Sequence, residues 1–137
     1  MGLLFAVFAM ICWGIAPIFA KIGLNNVDPL AGLVLRTMIA MGVVTGWVGI
    51  SGSVEHLRTI PFNSWLLIGI EALLATIVGD LAYYYAIKNE EVSLVSIILS
   101  TSPLVTMFCA VIFLGEPVTI WRVIGAVYIV LGMILVI

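Results

Sequence analysis

Glu71 and Asp80 lie in the apolar run IEALLATIVGDLAYYYA (70–86), and Arg36 lies in the run LVLRTM. An ionised side chain at the centre of a bilayer costs ~3 kcal/mol on insertion scales, so charges there mark ion or substrate paths or are paired. Arg36 follows Pro29 by seven residues, which sets it roughly 10 Å into a helix at 1.5 Å rise per residue. Asp80 precedes Lys88 by eight residues, at about the same depth on the next helix. Opposite charges at matched depth on neighbouring helices relieve each other's cost, so an Arg36–Asp80 pair is expected. A coupling pair and a purely structural clamp both fit it.

Glu71 is nine residues from Asp80, about 900° of helical rotation, so the two acids are expected on opposite faces. The nearest cation at its level is Arg122, close enough to a helix end to reach water. An acid in lipid without a fixed partner can take up and release a proton, as a proton-coupled carrier requires. A protonated Glu at a packing interface meets the same description.

Two protease-like signatures fail on their companions. Gly49–Gly52 reads GISG, but the single His, His56, stands in the same connector, where it cannot complete a dyad from another helix. Gly79–Asp80 gives a GD pair, with no second Asp in another span. Cys12 and Cys109 sit in apolar runs with no CxxC and no nearby His, as small buried hydrophobes do. No enzyme, cofactor or metal site is expected.

Composition defines where these residues reside. The chain is 64% hydrophobic and 9% charged over 137 residues, with a mean hydropathy of +1.35. Soluble domains carry about 25% charged residues, so this is the composition of an integral membrane protein. Five Lys and Arg spread singly make no basic patch, which excludes nucleic-acid binding. The N-terminus lacks a basic signal-peptide start and reads as a first membrane helix.

Runs of about 20 apolar residues span a bilayer. Five are expected, at 3–23, 30–50, 64–87, 92–114 and 118–137. The breaks are GLNNVDPL, SGSVEHLRTIPFNS, KNEEVS and LGEPV, the second long enough to hold a short interfacial amphipathic piece. In LGEPV, Gly115 suits a helix C-cap, Pro117 the first turn of the next helix, and Glu116 that helix's positive end. The fold class is thus all-α and polytopic, with five transmembrane helices in one domain.

Five crossings place the termini on opposite sides. The N-terminal side (side A) carries Arg58, Arg122 and the N-terminal amine; the other (side B) carries Lys21 and Lys88, with Arg36 deeper. Lys/Arg asymmetry normally sets orientation, and here it is nearly balanced, so a single weakly biased orientation and dual insertion both fit. Trp47, Trp65 and Trp121 near side A, and Tyr83, Tyr84 and Tyr85 near side B, suit aromatic belts. Trp13 instead lies mid-helix beside Gly14 and near Pro17, a possible pocket wall or packing site. Ser93, Ser96 and Ser100 form a polar stripe ahead of Pro103, fit for a cavity wall or for helix packing. The substrate-cavity candidates are Trp13, Pro17, Tyr84, Ser96, Ser100 and Pro103. Gly42 and Gly46 permit close helix approach.

The stretches CWGIAPIFAKIGL (12–24), LVLRTM and the run from Asp80 through GEP to the Gly-containing last helix resemble the EamA family of the drug/metabolite transporter superfamily. The resemblance covers essentially the whole chain. It implies a carrier working by alternating access, with a central cavity lined mainly by the first four helices of each repeat. Typical relatives have ten spans in two inverted halves, whereas this sequence resembles one half. An antiparallel homodimer with dual topology is the expected working form, with the partner's Arg36 level with Glu71. The expected substrate is a small metabolite or drug-like compound, and the expected location is the cytoplasmic (inner) membrane of a prokaryote. A translocase of lipid or polyprenyl-linked sugar and a non-transporting assembly subunit are the alternatives.

Overall fold

The computed structural model describes residues 2–136, apart from the side chains of His56 and Arg58. Expectations resting on Arg58, His56 or the N-terminal amine therefore lie outside the described residues. Those residues fold into helices α1 (Gly2–Gly23), α2 (Pro29–Ser51), α3 (Val54–Arg58), α4 (Phe62–Ala72), α5 (Asp80–Asn89), α6 (Val92–Leu99), α7 (Ser102–Leu114) and α8 (Ile120–Ile134), with a π-helical stretch, Leu73–Gly79, joining α4 to α5. Four spans are long and apolar enough to cross a membrane: Gly2–Gly23, Pro29–Ser51, Phe62–Asn89 and Val92–Leu114. In lipid the helix is the element that satisfies its own backbone, which is why these apolar runs all take it.

The α2 start is written in Asp28-Pro29. Asp28 Oδ1 accepts from the Leu30 amide at 2.9 Å and the Ala31 amide at 3.3 Å, while Pro29 occupies the first turn, where its missing N–H costs nothing. The connector 52–61 contains the short helix α3.

The fourth span breaks at Ser100 and Thr101 and restarts with Pro103 in the first turn of α7. The Ser100 and Thr101 hydroxyls donate to the Ile97 and Ile98 carbonyls, each at 2.6 Å. The same two carbonyls also take the Ser100 and Thr101 amides, each at 3.1 Å, so both hydroxyls are satisfied within their own turn at the break.

Gly115 ends α7 in the left-handed region at φ 64°, as a C-cap glycine does. Pro117 is not in the first turn of the last helix, however. α8 begins at Ile120 behind Thr119, whose carbonyl takes the Arg122 and Val123 amides. A proline disfavours the helical region for the residue before it, here Glu116, and Thr119 ahead of α8 is extended at φ −88° and ψ 148°. The last helix is consequently 15 residues long, shorter than the expected 118–137.

The chain divides into two packed units, residues 19–89 and residues up to 18 together with 90 onward. In the first, α2 packs on α5, and Leu24, Leu33, Tyr84 and Ile87 are its buried apolar residues. Gly32 makes this approach possible, since a Cβ there would meet Leu24 Cδ2 at 2.5 Å and the Tyr84 ring at 3.4 Å. The second unit buries Val95.

The π stretch corrects the expectation that Glu71 and Asp80 face opposite ways. The Asp80 amide donates to the Ala75 carbonyl, five residues back rather than four. A turn closed that way holds one extra residue, so nine residues advance the helix by only about 800°, leaving the two acids about 80° apart.

Candidate functional site

Gly32 and Arg36 are one turn apart on the face of α2 that meets α5. On α5, Asp80, Tyr84 and Ile87 at i, i+4 and i+7 form the matching face. Arg36 Nη1 and Asp80 Oδ2 make an ion pair with side chains 51% and 25% exposed. The Arg36 guanidinium also stands over the Tyr84 ring, 5.9 Å from its centroid. This is cation–π distance, and a guanidinium suits both contacts because it is planar and weakly hydrated.

Beside the pair is a cleft of about 470 Å³ lined by Phe19, Leu24, Leu35, Arg36, Ile39 and Tyr84, among other residues. Its walls are apolar and Arg36 is the charged group on them. The combination can hold a small, mostly apolar molecule and give one polar group a fixed point of contact. Arg36 therefore faces Asp80 on one side and the cleft on the other.

The side-B end of this unit is tied by lysines. Lys21 Nζ donates to the Ile87 carbonyl and, at 3.2 Å, to that of Lys88. Lys88 Nζ donates to the Val27 carbonyl at 2.7 Å. Both use carbonyls at helix ends and turns that lack amide partners.

Glu71 is exposed on α4, with no ion pair among the described residues. Arg122 pairs instead with Glu116 at 3.9 Å and donates to the Pro117 carbonyl at 3.3 Å.

The cavity candidates fall into separate places. Tyr84 lines the cleft at Arg36. Trp13 and Pro103 line a different groove of about 580 Å³ with Ser102, Thr106 and Met107, which ends at Glu116 and Arg122. Pro17, Ser96 and Ser100 line neither of these two. Ser96 is half-buried beside Val95, whereas Ser93 and Ser100 are exposed, so the serine stripe is not the packed face of α6.

Sequence reasoning missed Gly32 and Tyr83. The Tyr83 hydroxyl is buried without a hydrogen-bond partner, and its ring is tilted 57° against Tyr84 with centroids 6.0 Å apart. Nothing in the YYY triplet distinguished it from a belt residue. For Gly32, its spacing of four from Arg36 was the available signal.

Membrane-length apolar helices that carry a paired arginine and aspartate define a multi-pass integral membrane protein. The chain belongs to the EamA-like transporter family, which matches residues 1–137. It is 28% identical over 134 residues to an uncharacterized transporter from the cobO 3′ region of Sinorhizobium sp., covering 98% of this chain and 92% of that one. It is 27% identical over 139 residues to an uncharacterized protein of Methanocaldococcus jannaschii, covering 98% of this chain and 92% of that one. The uncharacterized transporter YyaM of Bacillus subtilis is 26% identical over 125 residues, covering 90% of this chain but 40% of its own length. No solved structure matches the chain.

Proposed function

We propose that this chain is a carrier of small metabolites or drug-like compounds that works by alternating access as an antiparallel homodimer in the cytoplasmic membrane of a prokaryote. Proton coupling runs through Glu71, with Asp80 as the second acid and Arg36 as their counter-ion. The observation that carries this reading is the double engagement of Arg36, which pairs with Asp80 while lining an apolar cleft of about 470 Å³. A cation held by an internal acid at the edge of a cavity can exchange that acid for a substrate group. Binding is thereby tied to the charge state of the site.

Two features support the homodimer. The Sinorhizobium and Methanocaldococcus relatives are matched over 92% of their length, whereas in YyaM the match fills 40%. The Lys and Arg residues are nearly balanced between the two sides, so charge gives little preference for one orientation.

The test is reconstitution into liposomes on a solid-supported electrode, challenged with a panel of amino acids and organic-cation drugs. A saturable current that competes within one substrate class supports a carrier, and no current or flux with any of the panel counts against it. Reporters fused to the C-terminus read the topology. Signal from both sides of the membrane supports dual insertion, and signal from one side alone removes the antiparallel arrangement.

A further inference from the structure

The π stretch lies between the two acids, and one residue within it is matched to its geometry. A Cβ at Gly79 would approach the Leu74 carbonyl oxygen to 3.1 Å. That carbonyl lies five residues back, where the wider turn brings it close. Every other residue of Leu73–Gly79 has a side chain, and Thr76, Ile77 and Val78 are β-branched, which lowers their preference for a regular α ladder slightly. The stretch is continuous with α4 and α5 in one span, Phe62–Asn89, so a change of register within it rotates everything upstream, including Glu71, relative to Asp80.

We propose that the π stretch, held open by Gly79, positions Glu71 on the Asp80 side of the third span, so that Arg36 of the same chain serves both acids in turn. This rests on the carrier reading above and replaces the partner's Arg36 with this chain's own as the cation for Glu71. Uninterrupted α geometry puts the acids about 180° apart, and the extra residue in the π turn reduces this to about 80°. Along the axis they are separated by roughly 13 Å or less. The Cα–Cβ bonds of Arg36 and Glu71 tilt toward the starts of their helices, at side B and side A respectively, so for the two to meet both side chains must fold back against that tilt, over the length of the arginine stem. When Asp80 is taken by a proton or a substrate cation, Arg36 is released toward Glu71. When Glu71 is protonated, Arg36 returns to Asp80. Gly79 is thus a positioning residue: it sets where Glu71 faces and touches no substrate.

The test is thiol cross-linking between Arg36→Cys and Glu71→Cys in a chain carrying Cys12→Ala and Cys109→Ala. A short bifunctional maleimide is applied to the protein in liposomes, and the product is mapped by peptide mass. The expected product links 36 to 71 within one chain at monomer size. Adding Gly79→Ala, which closes the turn toward α geometry, is expected to lower its yield roughly tenfold as Glu71 rotates by about 100°. A link found only between chains overturns this proposal while leaving the homodimer intact. A link that Gly79→Ala leaves unchanged overturns the role of the π turn. Should Gly79→Ala fail to fold, nitroxide accessibility along 66–86 in the otherwise native span decides. A one-residue slip in the periodicity between 66–72 and 80–86 is expected, and an unbroken 3.6-residue period overturns the proposal.

Discussion

Substituting Gly32 by Ala tests the packing that brings Arg36 to Asp80. The new methyl would meet Leu24 Cδ2 at 2.5 Å and two Tyr84 ring carbons at 3.4 and 3.5 Å. Both neighbours are buried, Leu24 at 3% and Tyr84 at 7% exposure, so they have little room to yield. Overpacking of this kind costs about 1–3 kcal/mol. Alanine regains about 1 kcal/mol over glycine within a helix. The net expectation is a loss of about 1 kcal/mol, set against the gain of about 1 kcal/mol expected for Gly42→Ala in the same helix, where a Cβ meets nothing within 4 Å. Equilibrium unfolding in mixed micelles, followed by tryptophan fluorescence, measures both. In a Leu24→Ala background the cost of Gly32→Ala should vanish, because the obstructing methyl is gone. The reasoning is refuted if Gly32→Ala stabilises as much as Gly42→Ala, or if its cost is undiminished when Leu24 is truncated.

Asp80→Asn should cost about 2 kcal/mol in the same unfolding assay, below the 3–5 kcal/mol of a fully buried pair because Arg36 is half exposed; exchanging the two residues, Arg36→Asp with Asp80→Arg, should recover most of it. Asp28→Ala should cost about 1 kcal/mol by removing the carboxylate that caps α2. Glu116→Gln should change stability by less than about 0.5 kcal/mol, since its ion pair with Arg122 is long and exposed on both sides.

Much of the architecture was legible because lipid leaves the backbone few options. Runs of apolar residues become helices, and Asn25 to Pro29, Gly52 and Gly115 mark where they stop. The meeting of Arg36 and Asp80 follows from depth alone, as both are counted from fixed points at side B. What depth cannot supply is rotational phase. The π turn between Leu73 and Gly79 differs from α by one residue per turn, and no period in a uniformly apolar segment reports it. Only Gly79 following three β-branched residues hinted at it. Pro117 illustrates the same limit, since LGEPV fixes the turn without fixing how many extended residues precede α8. The cavity residues were the least legible. Trp13 and Tyr84 are chemically similar candidates, yet packing assigns them to different clefts.

The central claim, a carrier whose proton coupling runs through Glu71, is tested most directly by proton movement in liposomes that contain the purified protein and a trapped pH indicator. An imposed gradient of whichever amino acid or organic cation gives a saturable current should drive protons in the native protein and fail to do so in Glu71→Gln, while Glu116→Gln behaves as native. Proton movement that persists undiminished in Glu71→Gln would contradict the account.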